Sequence, residues 1–376
     1  MLGKTRKGVL SAAGILAVCV LMLQPVPVVQ AEQIQEDKEA LEQLIKLYNE
    51  YEARFAAIEN VSDIEENGFF AIEEQSFPVI MESFGEEEVT FLPVMDEEYS
   101  RMAVLIADSE GNILYKTNRL ETNNRRLGEL KQPTKDIAAV SFQDLNGDGL
   151  TDIILITDCE NEAGEYEGRI YKTGDVLFQG QGDFYRDWRI SDKINRFSMN
   201  KSIDFIATYV RDGISVEVLY TATTLEELLN NGFRIIQEQC YWRSFEKQGY
   251  LRVVPGVIKM AEYNIFMIFL INEQGYIVWS FQTMEDYDNL YSLKGMTCRD
   301  MDGDGMKDIV VLARYSYADQ EGELQVDTKC SIFYQRTDGF EEDKEFSDYH
   351  QCTSEDTVSG LVELIREYWG WTVEND

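Results

Sequence analysis

A single histidine among 376 residues removes most of the chemistry that imidazole carries. His-rich metal centres are excluded, and a Ser-His-Asp or Cys-His hydrolase would have to use His350. That residue stands in the polar stretch Ser347-Asp348-Tyr349-His350 with no G-x-S-x-G elbow in the chain, so it reads as a surface histidine. No C-x-x-C occurs, and zinc or thioredoxin-like redox readings lack their spacing. Basic residues are scarce: 34 Lys+Arg face 69 Asp+Glu, a formal net charge of −35. Phosphate backbones repel such a chain, as does anionic lipid, and no Lys/Arg run makes a local exception, so no nucleic-acid partner is expected. No glycine-rich phosphate loop is present, because the glycines of Gly147-Asp148-Gly149 sit among carboxylates. Proline is also rare, at 6 residues, while 44% of the chain is hydrophobic. That is enough apolar material for a sizeable core, which argues against a disordered chain.

Long apolar runs are missing everywhere except at the start. Residues 1–31 place Lys4, Arg6 and Lys7 before an apolar run from Val9 to Leu23, then Pro25, Pro27 and a small residue, Ala31. This is the order of a signal peptide, and the run is shorter than the ~20 residues a membrane-crossing helix needs. The expectation is a secreted, extracytoplasmic protein, cell-surface associated or free, with no membrane span after signal removal. Five cysteines then remain, Cys159, Cys240, Cys298, Cys330 and Cys352. An odd number leaves at least one thiol unpaired, and buried structural thiols are the favoured reading.

The chain contains one unit twice. Asn67-Gly68-Phe69 returns as Asn231-Gly232-Phe233, and a shift of 164 runs without a gap to Lys116/Ser280, with 13 identities over 50 positions. After a shorter polar loop in the second copy the shift becomes 156. It then pairs Asp144–Gly149 with Asp300–Gly305, Asp152-Ile153 with Asp308-Ile309, and Phe184 with Phe340. Each copy reads as β. Met102–Ala107 with Asn112–Lys116, and Phe266–Ile271 with Tyr276–Phe281, are apolar runs around a glycine turn; Ile153–Thr157 and Ile309–Ala313 are β-branched runs of buried-strand type. Ser202–Val210 and Ile214–Ala222 around Arg211-Asp212-Gly213 predict a further hairpin.

Helices are expected at the flanks. Leu41, Leu44, Tyr48, Tyr51, Phe55 and Ile58 form one helical stripe, Thr224-Leu225-Glu226-Glu227 is a capping box, and a last helix from about Ser354 should turn Val358, Leu361, Val362, Ile365 and Trp369 inward. The predicted organisation is a signal peptide over 1–31, a helical segment over 32–66, β-unit 1 over 67–184, a connecting hairpin and short helix over 185–230, β-unit 2 over 231–340, and a helical segment over 341–376. The fold class is mainly β with flanking helices, a tandem-duplicated β-repeat.

The strongest chemical signal is a pair of aspartate loops. Asp144, Asn146, Asp148 and Asp152 in the first, and Asp300, Asp302, Asp304 and Asp308 in the second, put side-chain oxygens at positions 1, 3, 5 and 9. Glycines at positions 4 and 6 allow the turn. With the position-7 carbonyls of Leu150 and Met306, each set suits a hard, oxygen-preferring cation, Ca2+ before Mg2+, and two sites are expected. An EF-hand is excluded at position 12, where Leu155 and Val311 replace the bidentate glutamate. The plainer alternative is that Asn-Gly and Asp-Gly simply make tight turns.

Phe142–Ile153 and Cys298–Ile309, each a strand, D-x-[DN]-G-D-G-x-x-D and a strand, resemble the core of FG-GAP or VCBS-type repeats. Gln181-Gly182-Asp183-Phe184 and Thr337-Asp338-Gly339-Phe340 resemble their Gly-Phe ending. The resemblance covers about 45 residues of each half. It implies calcium in the loops, a β-propeller-like frame, and a binding or adhesion role toward an extracellular protein or glycan, with calcium mainly structural. A secreted carbohydrate-active enzyme, hydrolase or lyase, on the same frame is the alternative. In that case its catalytic carboxylates are not identifiable among 69 acidic residues. The contact loops expected on either reading are Asp158–Gly174 and Arg314–Lys329, with most aromatic rings left to core packing.

Overall fold

Runs of apolar residues broken by glycine turns become antiparallel ladders in the computed structural model. It describes residues 42–371 apart from 44, 86–87, 97–100, 124–133, 161–167, 169, 283–288 and 319–322. The signal-peptide expectation lies outside the described residues, as do Leu41 and Leu44. The chain divides into two compact units, Met1–Phe69 and Phe70–Asp376. In the first, helix α1 (residues 45–56) precedes α2 (Asp63–Glu66). Tyr51, Phe55, Ile58 and Ile64 are buried, with the Tyr51 and Phe55 rings stacked 6.4 Å apart. Tyr48, on the expected stripe, is exposed.

Strand β1 (Phe69–Ala71) spans the junction. In the second unit, β2 (Phe77–Ile80) pairs with β3 (Glu88–Asp96), β3 with β4 (Met102–Ala107), and β4 with β5 (Ile113–Thr117). The next sheet is a meander of β6 (Thr134–Gln143), β7 (Asp152–Glu160), β8 (Ile170–Gln179) and β9 (Phe184–Tyr185). Four helices follow: α3 (Trp188–Arg196), α4 (Ile203–Asp212), α5 (Val218–Thr221) and α6 (Leu225–Asn230). The strand pattern then returns. β10 (Arg234–Ile235) and β11 (Tyr241–Phe245) both pair with β12 (Gly249–Met260), followed by β13 (Tyr263–Ile271) and β14 (Ile277–Gln282). A last meander runs through β15 (Asn289–Arg299), β16 (Asp308–Ala318), β17 (Leu324–Arg336) and β18 (Gly339–Glu342), before α7 (Phe346–Tyr349) and α8 (Val358–Tyr368).

Equivalent positions carry equivalent irregularities. The β4–β5 ladder slips between Ile106 and Ala107, and the β13–β14 ladder between Leu270 and Ile271, 164 residues on. The β6–β7 ladder slips at Thr134/Asp136 and Ile137/Ala139, and the β15–β16 ladder at Leu290/Ser292 and Leu293/Gly295, 156 residues on.

The unbroken apolar runs of β7 and β16 follow from burial on both faces. Ile153 and Leu155 pack with Val89, Phe91, Val104 and Ile106 of the neighbouring sheet, while Ile154 and Ile156 meet Ile194 of α3 and Ile206 of α4. Likewise Ile309 and Val311 join the core with Phe266 and Ile268, while Val310 and Leu312 meet Leu361, Val362 and Ile365 of α8.

Four expectations need correction. The hairpin placed within 185–230, over 202–222, is helical: Ser202 caps α4 by accepting from Phe205 N at 3.3 Å, and Gly213 ends it with φ +69°. Its β-branched composition is overridden because Ile206 and Ala207 cover the apolar face left open by the β6–β9 sheet. Within the contact loops over 158–174 and 314–329, the described residues are mostly ladder, with Cys159 opposite Tyr171 and Tyr315 opposite Asp327. Trp369 lies just past α8 and is exposed, its Nε1 donating to Tyr334 Oη at 2.7 Å. Finally, Trp188 is exposed, and Trp242 stacks on exposed Tyr250 at 5.1 Å. The capping box is present as expected, with Glu227 N donating to Thr224 Oγ1 at 3.2 Å.

One polar cluster fastens the first copy. Asp175 on β8 is fully buried, accepts from Glu121 N at 2.9 Å on both oxygens, and pairs with Arg186 at 3.3 Å; Arg186 also bonds Glu121. Burial pushes the Asp175 carboxyl up to about 7, against the pull of Arg186. Its folded-state value therefore lies above its unfolded one, so its contribution to stability is present below about pH 4 and is lost as pH rises through about 7. Urea unfolding of the wild type and Asp175→Asn across that window should show the wild type losing stability relative to the variant. A pH-independent gap would contradict this.

Candidate metal-binding loops

Each aspartate loop joins the first two strands of a meander. Loop 1 runs from Gln143, opposite Asp152, and loop 2 from Arg299, opposite Asp308. The first aspartate shapes the turn. Asp144 accepts from Gly147 N at 2.7 Å and Gly149 N at 2.9 Å; Asp300 does the same with Gly303 N at 2.8 Å and Gly305 N at 2.9 Å. These four glycines have φ between +77° and +85°, where a side chain is strained. The N–H bonds, led by that from Gly149, hold the Asp144 carboxyl below its usual range. Position 5 repeats the device, with Asp148 accepting from Leu150 N at 2.9 Å and Asp304 from Met306 N at 2.8 Å. The backbones of Leu150 and Met306 are thereby held inside the loops.

Position 9 is different in kind. Asp152 and Asp308 are buried, and each carboxylate accepts one N–H from the start of its loop and one from the third strand. Leu145 N and Gln179 N reach Asp152, both at 2.9 Å; Met301 N and Gln335 N reach Asp308 at 2.7 and 2.8 Å. Burial raises both carboxyls, Asp308 to about 7, with the neighbouring Asp302 and Asp304 charges adding to it.

In loop 2 the carboxylate oxygens of Asp300, Asp302 and Asp304 come within 4.8 Å of one another. Arg336 leans into this group, donating to Asp302 Oδ2 at 2.7 Å and Asp304 Oδ2 at 3.4 Å. The equivalent of Arg336 in the first copy is Gly180, and the equivalent of Asp302 is Asn146, which donates to Asp148 at 3.0 Å. With Lys307 in place of Thr151 as well, loop 2 has one more carboxylate and two more cations than loop 1. Both sets are oxygen donors able to hold a hard divalent ion.

Two glutamates went unnoticed in the sequence. Glu82 accepts from Thr151 N at 2.8 Å, and Glu246 accepts from Lys307 N at 2.8 Å, so each loop is tied to the preceding sheet. Burial works against the Glu246 charge, but its bonds from the Lys307 ammonium and N–H outweigh that and bring the carboxyl down to about 2. Gln179 and Gln335 complete the ties, the first accepting from Thr151 N at 3.1 Å and the second donating to Glu246 at 3.1 Å. The signal was available: Glu82 and Glu246 are identical at the 164-residue shift.

A small cleft elsewhere is lined by Phe197, Lys201, Phe205, Val216, Ile265 and Gln282, with room for about one water and no carboxylate on its wall. No helix among the described residues is long and apolar enough to cross a membrane.

No family model matches the chain, and no curated protein matches it. Among solved structures, an exo-inulinase from Aspergillus awamori aligns at 12% identity and a TM-score of 0.22, over 69% of this chain and 45% of that one. The chain spans less than half the length of that structure, and so loose an alignment carries no argument.

Asp308→Ala would leave Met301 N and Gln335 N without their acceptor inside the sheet. The expected loss is about 2–4 kcal/mol in urea unfolding. An unchanged midpoint would show that these bonds do not hold the loop to the third strand.

Proposed function

We propose that this chain is an exported β-repeat protein of FG-GAP/VCBS type that binds calcium in both aspartate loops and acts in binding or adhesion at or outside the cell surface. The observation that carries the reading is the convergence of Asp300, Asp302 and Asp304 on one point. Like charges so close repel one another, and a divalent ion at their centre would turn that repulsion into a tie. Loop 1 offers Asp144, Asn146 and Asp148 on the same frame, with the Leu150 and Met306 carbonyls and the remaining lone pairs of Asp152 and Asp308 as further donors. Under this reading the matching ladder slips reflect an internal duplication, and the successive antiparallel sheets are blades of a propeller-like assembly. Calcium is then mainly structural, bracing the first strand connection of a blade while exposed surfaces meet the partner.

Calorimetric calcium titration of chelator-treated protein should give two sites, one lost in Asp148→Ala and the other in Asp304→Ala. Arg336→Gln should tighten the second site by about three- to tenfold, since it removes a competing positive charge at the mouth of loop 2. Absence of saturable binding in the wild type would remove the calcium reading and the repeat-family reading with it.

A further inference from the structure

The sole histidine is not a solvated surface residue. His350 is half-buried between α7 and α8, and its Nε2 lies 3.1 Å from Asp356 Oδ1. A ring nitrogen of His350, Cys352 Sγ and an Asp356 carboxylate oxygen all fall within 4.8 Å of one another. Cys330, on the neighbouring strand β17, packs against the same core cluster as Cys352. Three donors, one sulfur, one nitrogen and one oxygen, therefore meet in the turn between α7 and α8.

From this convergence we infer that His350, Cys352 and Asp356 form a three-ligand site for a borderline-soft divalent ion, zinc above all. Around a tetrahedral zinc the ligand atoms stand roughly 3.3–3.8 Å apart, so the three groups need only contract slightly. The donor set rejects calcium, which takes oxygen, and suits zinc, which takes sulfur and nitrogen with a single carboxylate. Supporting contacts orient the ligands. Asp356 Oδ2 accepts from Thr353 N at 2.6 Å and Thr353 Oγ1 at 3.1 Å, which leaves Oδ1 toward His350. Lys294 Nζ donates to the carbonyls of Ser354 at 2.6 Å and Asp356 at 2.7 Å, and so pins the ligand-bearing turn. The site would brace the turn between α7 and α8, independently of the aspartate loops.

The test uses the full chain, purified without chelator or reductant for mass measurement, with a second portion reduced for the metal analysis. Elemental analysis should find one zinc per chain, and replacement by Co2+ should give a thiolate-to-cobalt charge-transfer band with tetrahedral visible absorption. Cys352→Ser and His350→Gln should each weaken cobalt binding by more than about tenfold, whereas Asp304→Ala, in loop 2, should keep the band. Lack of a thiolate–cobalt band in the folded wild type overturns the inference without reference to any variant. So does a wild-type chain two hydrogens lighter than its reduced mass, with a peptide joining Cys330 to Cys352.

Discussion

A carboxylate buried in a sheet and satisfied only by backbone N–H groups is the constraint on which both acidic loops depend. Asp152 and Asp308 each bridge the start of a loop and the third strand of the same meander. Burial makes that charge expensive, as the raised carboxyl of Asp308 records, and the two N–H bonds are what make it tolerable. Because both ends are backbone, the bridge sets the loop's shape and the position of the strand together. The loop aspartates can crowd together because this anchor and the glycines hold the turn.

The anchor also passes the constraint outward. Gln179 and Gln335, whose N–H groups serve Asp152 and Asp308, use their side chains on loop position 8 or on the glutamate that reaches it from the preceding sheet. Glu82 and Glu246 thereby join two sheets through one loop in each copy. Around these polar ties the sheets bury both faces, one against the neighbouring sheet and the other under helices. The helices between the copies are therefore covers for an apolar face rather than linkers.

The two loops differ in charge while sharing their geometry. Where the first has Asn146, Thr151 and Gly180, the second has Asp302, Lys307 and Arg336, so the extra carboxylate is accompanied by added cations. Such compensation is what a cluster of like charges demands, since an added carboxylate without an added cation would only increase repulsion. In a chain of net charge −35, local compensation of this kind matters more than at a neutral surface.

The strands around the glycine turns, the buried runs Ile153–Thr157 and Ile309–Ala313, the capping box at Thr224 and the placing of the aspartate loops between strands were all legible in the sequence. Each rests on local periodicity, turn chemistry or spacing, and those act over a few residues. The helix Ile203–Asp212 was misread as a hairpin because its β-branched residues are compatible with either state, and only the open sheet face beneath it selects the helix. Glu82, Glu246 and Arg336 escaped notice as parts of the loops because they lie about 30 to 70 residues away in the chain. The gathering of His350, Cys352 and Asp356 follows no familiar metal-ligand spacing, and only the folded turn before α8 brings the three donors together. Local chemistry is written in neighbouring residues, whereas which distant side chains share a site is decided by how sheets and helices cover one another's apolar faces.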